Sequence, residues 1–150
     1  MVVATSITVQ DNLGGLTPAM LFPALTKSVE RVSEVFITEA KAHYAKVRRT
    51  TNTPIGESLI MESFLYKPTL STLTSVGGIV YADLGIAWYA PLVNDGHSFR
   101  EGKGSFEGHH FMEVGYTKAK TMAVPIALEE LKKLNTKLSK GRGSNMFNVV

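Results

Sequence analysis

An α+β fold is predicted for this chain: an antiparallel sheet packed between a long N-terminal helix and a C-terminal helix, with a long glycine-rich loop. Two stripes and the interval between them predict it. Apolar residues recur at steps of three and four along Leu25, Val29, Val32, Phe36, Ala40, Tyr44 and Val47, and a second stripe runs through Val124, Leu128, Leu131 and Leu138. Residues 58–89 in between are rich in strand-forming runs broken by glycine and proline. Amphipathic helices flanking such a stretch bury their stripes against a sheet. With 150 residues, 44% of them apolar, the chain can fill one core. Residues 1–138 are read as a single domain, with 1–15 a strand or arm. Residues 139–150 are read as a flexible basic tail with an apolar end.

Residues 1–10 read as a strand, because Val3, Ile7 and Val9 share one parity and Asp-Asn-Leu-Gly-Gly follows as a turn. Such a strand can also be an arm that pairs with a neighbour's sheet edge. Thr17 and Pro18 suit an N-cap and a first helical position, while Pro23 should break or kink the opening turn. Glu30, Glu34 and Glu39 precede Lys41, Lys46, Arg48 and Arg49, an order that complements the helix macrodipole and accounts for the basic cluster. Residues 50–56 read as loop. Residues 58–66 read as a strand ended by Pro68, 70–76 as a second, Gly77-Gly78 as a hairpin turn, and 79–89 as a third strand with a bulge or bend at Gly85. Residues 94–108 read as a long polar loop containing Gly96, Gly102, Gly104 and Gly108. Phe99 and Phe106 within it need a surface to dock on. In the last helix Thr117 or Thr121 can cap, Glu129 and Lys133 form an i,i+4 pair, and Pro125 kinks the helix or marks its start. Residues 139–145 read as a flexible linker before the apolar sticker Met146-Phe147-Asn148-Val149-Val150.

The net charge of +3 sits in the tail. Lys137, Lys140 and Arg142 are unopposed there, which leaves 13 Lys and Arg against 13 Asp and Glu in residues 1–136. A dedicated nucleic-acid binder would carry a cationic stripe on its folded body. The absence of cysteine excludes disulfides, a thiolate nucleophile and a Cys-based zinc site. No apolar run is long enough to span a bilayer, and the first residues lack a signal-peptide pattern, so a soluble protein without membrane contact is expected.

No Gly-x-Ser-x-Gly elbow, phosphate loop or dinucleotide fingerprint occurs. One titratable constellation remains: His97, His109 and His110, with Asp95, Glu107 and Glu113 nearby. These residue types bind divalent ions. The spacing is not that of a helical ligand pair, and adjacent His109 and His110 should point apart. Polar loop and capping roles are therefore expected, with a small metal-dependent hydrolase using these histidines as the alternative function. Glu57 with Glu62, or Asp83 with Asp95, shows no spacing that favours an acid–base pair. No catalytic, cofactor-binding or metal residue is assigned, and no enzyme is expected.

Tyr89-Ala90-Pro91-Leu92-Val93-Asn94-Asp95-Gly96-His97 resembles a family pattern, Tyr-Ala-x-x-Val-(Asn/Glu)-x-Gly-(His/Thr) at the end of a strand. The family is that of the neck, tail-completion and tail-terminator proteins of tailed bacteriophages, the phage tail-component family. In it a glycine-rich loop leads to Gly-x-x-Phe-Met and an amphipathic helix, matched here by Gly108-His109-His110-Phe111-Met112 and residues 126–138. The first helix, with Ala40, Ala42 and Lys46, and the Thr-Pro loop after it also fit. The chain departs from the family's Pro-x-x-Thr-Gly-x-Leu segment, reading Thr-Pro-Ile-Gly-Glu-Ser-Leu at 53–59. The resemblance covers residues 36–138.

It implies a non-enzymatic structural virion protein, a ring of six or twelve copies at the head–tail junction (neck, tail completion or tail terminator). Neighbouring connector, tail-tube or sheath proteins would be its partners. DNA would pass through the lumen without sequence-specific binding, assembly would occur in the host cytoplasm, and no cofactor is implied. Gly96 would permit a turn with positive φ, while Tyr89, Val93, Phe111 and Met112 would pack loop and helix against the sheet. A ring subunit contacts its neighbours head to tail, and closure covers exposed edges and extensions. The expected interface residues are Gly96, His97, Phe99, Phe106, Met146 and Phe147.

Overall fold

The flanking stripes and the interval between them fold as an α+β architecture, in a computed structural model that describes residues 2–8, 17–47, 54–69, 72 and 75–142. The elements are β1 (Val2–Thr8), α1 (Pro18–Val47), α2 (Pro54–Ser63), β2 (Phe64–Pro68), β3 (Ser75–Ala82), α3 (Ala90–Asp95), β4 (Gly96–Ser98), β5 (Ser105–Glu107) and α4 (Phe111–Arg142). The main sheet has the order β1-β3-β2 and is antiparallel throughout, while β4 and β5 form a separate hairpin. Among the described residues no helix is long and apolar enough to cross a membrane.

β1 pairs with β3 of its own chain, from Val2 opposite Tyr81 to Thr8 opposite Ser75. α1 continues unbroken past Pro23, which is exposed near the start of the helix. The Thr17 carbonyl closes the first turn by accepting from the Met20 and Leu21 amides. Residues 58–63, expected as strand, are the second half of α2. Pro54 at the first helical position favours a helix here, and so do the helix formers Leu59 and Met61. Ile60 and Ser63, three apart and so on one face only in a helix, are both buried, and the Ser63 hydroxyl donates to the Ile60 carbonyl at 2.8 Å.

Gly77-Gly78 lies inside β3, and the bend expected there comes earlier, at the Thr72–Ser75 bridge. The Tyr66 ring lies where a Gly78 side chain would stand, and its cover compensates a glycine in mid-strand. β3 ends at Ala82, short of the expected strand to residue 89. Asp83 stops it: its carboxylate accepts from the Gly85 amide at 2.8 Å, and its carbonyl from those of Ile86 and Ala87. Gly85 thus belongs to a turn, and the Tyr-Ala-x-x-Val motif that follows forms α3 rather than a strand end.

The layers are sheet, α1, α4. The middle one is the helix α1 and not the sheet, because α4 packs along α1. Val29, Val32 and Phe36 are fully buried, and α1 also buries Ser28 and Ser33, whose hydroxyls donate to carbonyls one turn back. α4 approaches closely because it presents Gly115 and Ala119; a Cβ on Gly115 would sit 2.7 Å from the Phe36 carbonyl oxygen. Its buried seam is Phe111, Met112, Gly115, Ala119, Ile126 and Glu130. Val124 and Leu128, expected on that seam, are 66% and 47% exposed. The helix begins at Phe111, ten residues before Thr121, continues through Pro125, and includes 139–142, expected as linker. Thr117 and Thr121 do not cap it; their hydroxyls donate to the Glu113 and Lys118 carbonyls inside the helix.

Glu130 can be buried because Arg31 reaches it from α1 at 2.6 Å and Lys133 from its own helix at 3.0 Å. Arg31 also pairs with Glu129 at 3.0 Å, and the expected Glu129–Lys133 pair forms at 2.6 Å. Hydrogen bonds from Arg31 and then Lys133 hold the Glu129 carboxyl down from 4.5 to about 2. Glu130 is lowered too, by Lys133 first and Arg31 next, against the opposing effect of burial. A lowered folded-state value gives stability that is complete above the ordinary carboxylate range and is lost as pH falls through the folded value. The thermal midpoint is therefore expected to fall between about pH 5 and pH 2, and Arg31→Met to flatten that fall. An unchanged pH profile in Arg31→Met would show that the network does not contribute.

Candidate functional site

The region expected as loop, residues 94–108, is the β4–β5 hairpin with a 3₁₀ turn, Arg100–Gly102, at its tip. α3 ends at Gly96 with φ 82°, a left-handed value that glycine adopts freely. A side chain at Gly96 would also strike the Phe106 carbonyl, against which the β4 backbone lies. At the tip, Glu101, Gly102 and Gly104 all have positive φ, and the Phe99 amide donates to the Gly104 carbonyl at 2.9 Å. These turns reverse the chain within a few residues. The long-loop reading failed because glycine-rich polar stretches and tight hairpins share a composition.

Aromatic rings run from this hairpin into the core. Phe99 meets His97 at 5.2 Å between ring centroids, and His97 meets Phe106 at 5.7 Å. Phe106 meets His109 at 5.1 Å, and His109 meets Tyr44 at 6.1 Å. Tyr44 then meets Phe111 at 5.4 Å, and Phe111 meets Phe64 at 5.7 Å. Most contacts are edge-to-face or tilted, the favoured geometry of such rings. His43 Nε2 donates to the His109 carbonyl at 3.0 Å, which fixes the middle of the series to α1. Phe99 is the outer end and is 48% exposed, whereas Phe106 is half-buried between His97 and His109. The two phenylalanines expected to act alike therefore differ: Phe106 seats the hairpin on its own chain, and Phe99 faces outward.

The two motif stretches, 89–97 and 108–112, meet at Asn94, which is 1% exposed. Its side-chain carbonyl accepts from the Met112 amide at 2.9 Å, capping α4. Its amide donates to Asp95 at 2.6 Å and Glu113 at 3.3 Å. The Val93 and Asn94 carbonyls accept from the His109 and His110 amides at 2.9 and 3.0 Å. His110 takes a left-handed φ of 49° here, the bend that turns the chain into α4. Phe111 and Met112 are buried, and Tyr89 and Val93 pack half-buried on the same core. Burial raises the Tyr89 hydroxyl above its ordinary pKa. The sequence offered Asn94 as the Asn/Glu position of the resembling pattern, directly after the apolar run Ala-Pro-Leu-Val, and not as a capping residue.

The histidines do not converge as ligands. His97 and His109 stack on phenylalanines, and His110 lies 4.0 Å from Glu113. Among the described residues no group of three or more His, Asp and Glu could hold a metal ion. Asp83 and Asp95 each accept from a local donor. The Glu57 side chain, Arg48, Arg49, Met146 and Phe147 lie outside the described residues. Beside α3 the surface is apolar: Leu84, Ile86, Trp88 and Leu92 are all exposed, Trp88 to 71%. Compared with protein-family models, curated proteins and solved structures, the chain matches none.

Proposed function

We propose that the chain is a structural virion protein that forms a closed ring at the head–tail junction of a tailed bacteriophage, as neck, tail-completion or tail-terminator subunit. The supporting observation is the meeting of the two resembling stretches around Asn94, with the hairpin held between them on a series of stacked rings. Residues that match an architectural pattern here have architectural contacts. A hairpin braced at its foot loses little further entropy when it docks, which suits repeated contact with a neighbouring copy. Phe99 is the side chain it offers, and a neighbour that covers it gains roughly 1.5–3 kcal/mol.

Phe99→Ala is expected to change subunit stability by less than about 0.5 kcal/mol, as for a surface site. Ring formation should weaken by roughly tenfold or more, read by native mass spectrometry and by the yield of joined particles. Phe106→Ala should also destabilise the subunit itself, by about 1–2 kcal/mol. Absence of the chain from purified virions, or a single copy wherever it occurs in them, would refute the reading.

A further inference from the structure

We propose that residues 146–150 (Met-Phe-Asn-Val-Val) of one copy dock in a cleft of the next copy, beside the outer face of the sheet. The inference rests on the ring reading and assigns one of its contacts. The cleft, about 470 Å³, has Lys67 and Ile79 on the sheet side, Leu84 and Pro91 on the other, and Phe111 and Met112 at the start of α4. Leu84, on its wall, belongs with Ile86, Trp88 and Leu92 to a short stretch of exposed large apolar side chains. Apolar surface concentrated in this way marks a contact site.

Distance selects the donor copy. The cleft lies at the first turn of α4, and residues 143–150 leave from its far end. α4 has 32 residues, so it is about 48 Å long. Eight residues, 143–150, reach about 29 Å at most when fully extended. The segment therefore falls short of its own cleft, and a second copy supplies the one within reach. Cleft and segment belong to opposite ends of the same helix, so under the ring reading the contact repeats head to tail, whereas exchange between two antiparallel copies would close as a pair. Such contacts propagate, and they close into a ring when the rotation permits. The chemistry matches: the methionine adapts to an irregular apolar wall, and the phenylalanine supplies large buried area.

The test uses the full chain with Phe147 replaced by benzoyl-phenylalanine, in rings mixed from light- and heavy-isotope copies. Irradiation should join a light copy to a heavy one, with the attachment mapped to Lys67 or to residues 79–112. A chain ending at Asn145, and separately Leu84→Asp at the exposed wall, should keep the subunit's unfolding midpoint. Each should raise the ring's dissociation constant about tenfold or more. Cross-links confined to one copy, cross-links to another surface, no cross-link in assembled rings, or undiminished rings from the shortened chain would each overturn the docking while the ring reading stands. A full chain that remains a single copy both in solution and in particles would overturn the two together.

Discussion

Phe111→Ala is expected to lower the unfolding free energy by about 3–5 kcal/mol, the range for removing a fully buried phenylalanine. Phe111 is 1% exposed and stands where three parts of the molecule meet. Its ring touches Tyr44 of α1 and Phe64 of β2, and its backbone opens α4. Truncation leaves a void bounded by rigid rings, which cannot collapse as flexible aliphatic side chains can. The same change cuts the series of rings below the hairpin. Amide exchange should therefore quicken in residues 96–107 more than in β1 or β3. Urea titration followed by circular dichroism measures the first effect, as a lower midpoint at unchanged slope. A loss under about 1 kcal/mol would mean that the core does not depend on this junction.

Asn94→Ala is the second large effect, about 2–4 kcal/mol. It strands the buried Met112 amide, an unmet group costing about 1–3 kcal/mol, and leaves a void at a position 1% exposed, while the more exposed Asp95 and Glu113 carboxylates lose a donor. Asn94→Asp separates the two polar contributions. It restores an acceptor for the Met112 amide at the N-terminus of α4, where negative charge is favoured. It also places a third carboxylate against Asp95 and Glu113. Asn94→Asp should thus recover part of the loss, and more of it at pH 4 than at pH 7, as protonation relieves the repulsion. Equal stability of the two variants at both pH values would refute the capping role.

What could be read from the sequence was what depends on large apolar periodicity. The stripe from Leu25 to Tyr44 is buried as spaced, and the antiparallel sheet lies where β-branched residues accumulate. What could not be read depends on small or polar residues whose role exists only in contact. The seam of α4 runs through Gly115, Ala119 and Glu130, and a search for leucines and valines selects its outer face instead. Gly77-Gly78 has the composition of a turn, yet it is strand because the Tyr66 ring lies over it. Residues 58–63 satisfy both periods over so short a run, and the buried pair Ile60 and Ser63, three apart and so on one face only in a helix, decides between them. At the site, the positive φ of Gly96 was legible, because few residues other than glycine take that conformation. The ring series was not legible, since it joins Tyr44 to residues more than sixty positions away.

The pairing of β1 with β3 bears on how the chain comes to be folded. Val2 and Thr8 leave the ribosome long before their partners Tyr81 and Ser75, and Arg31 waits 99 positions for Glu130. α1, the middle layer, thus emerges with neither of its two covering layers made. Contacts so distant along the chain must close large loops before they return any stabilisation, which slows folding relative to a bundle of local contacts. During synthesis at about 5–20 residues per second, the apolar side of α1 stays uncovered for several seconds. The nascent chain is exposed to premature self-association in that interval, and help from chaperones is the expected consequence of the order of its layers.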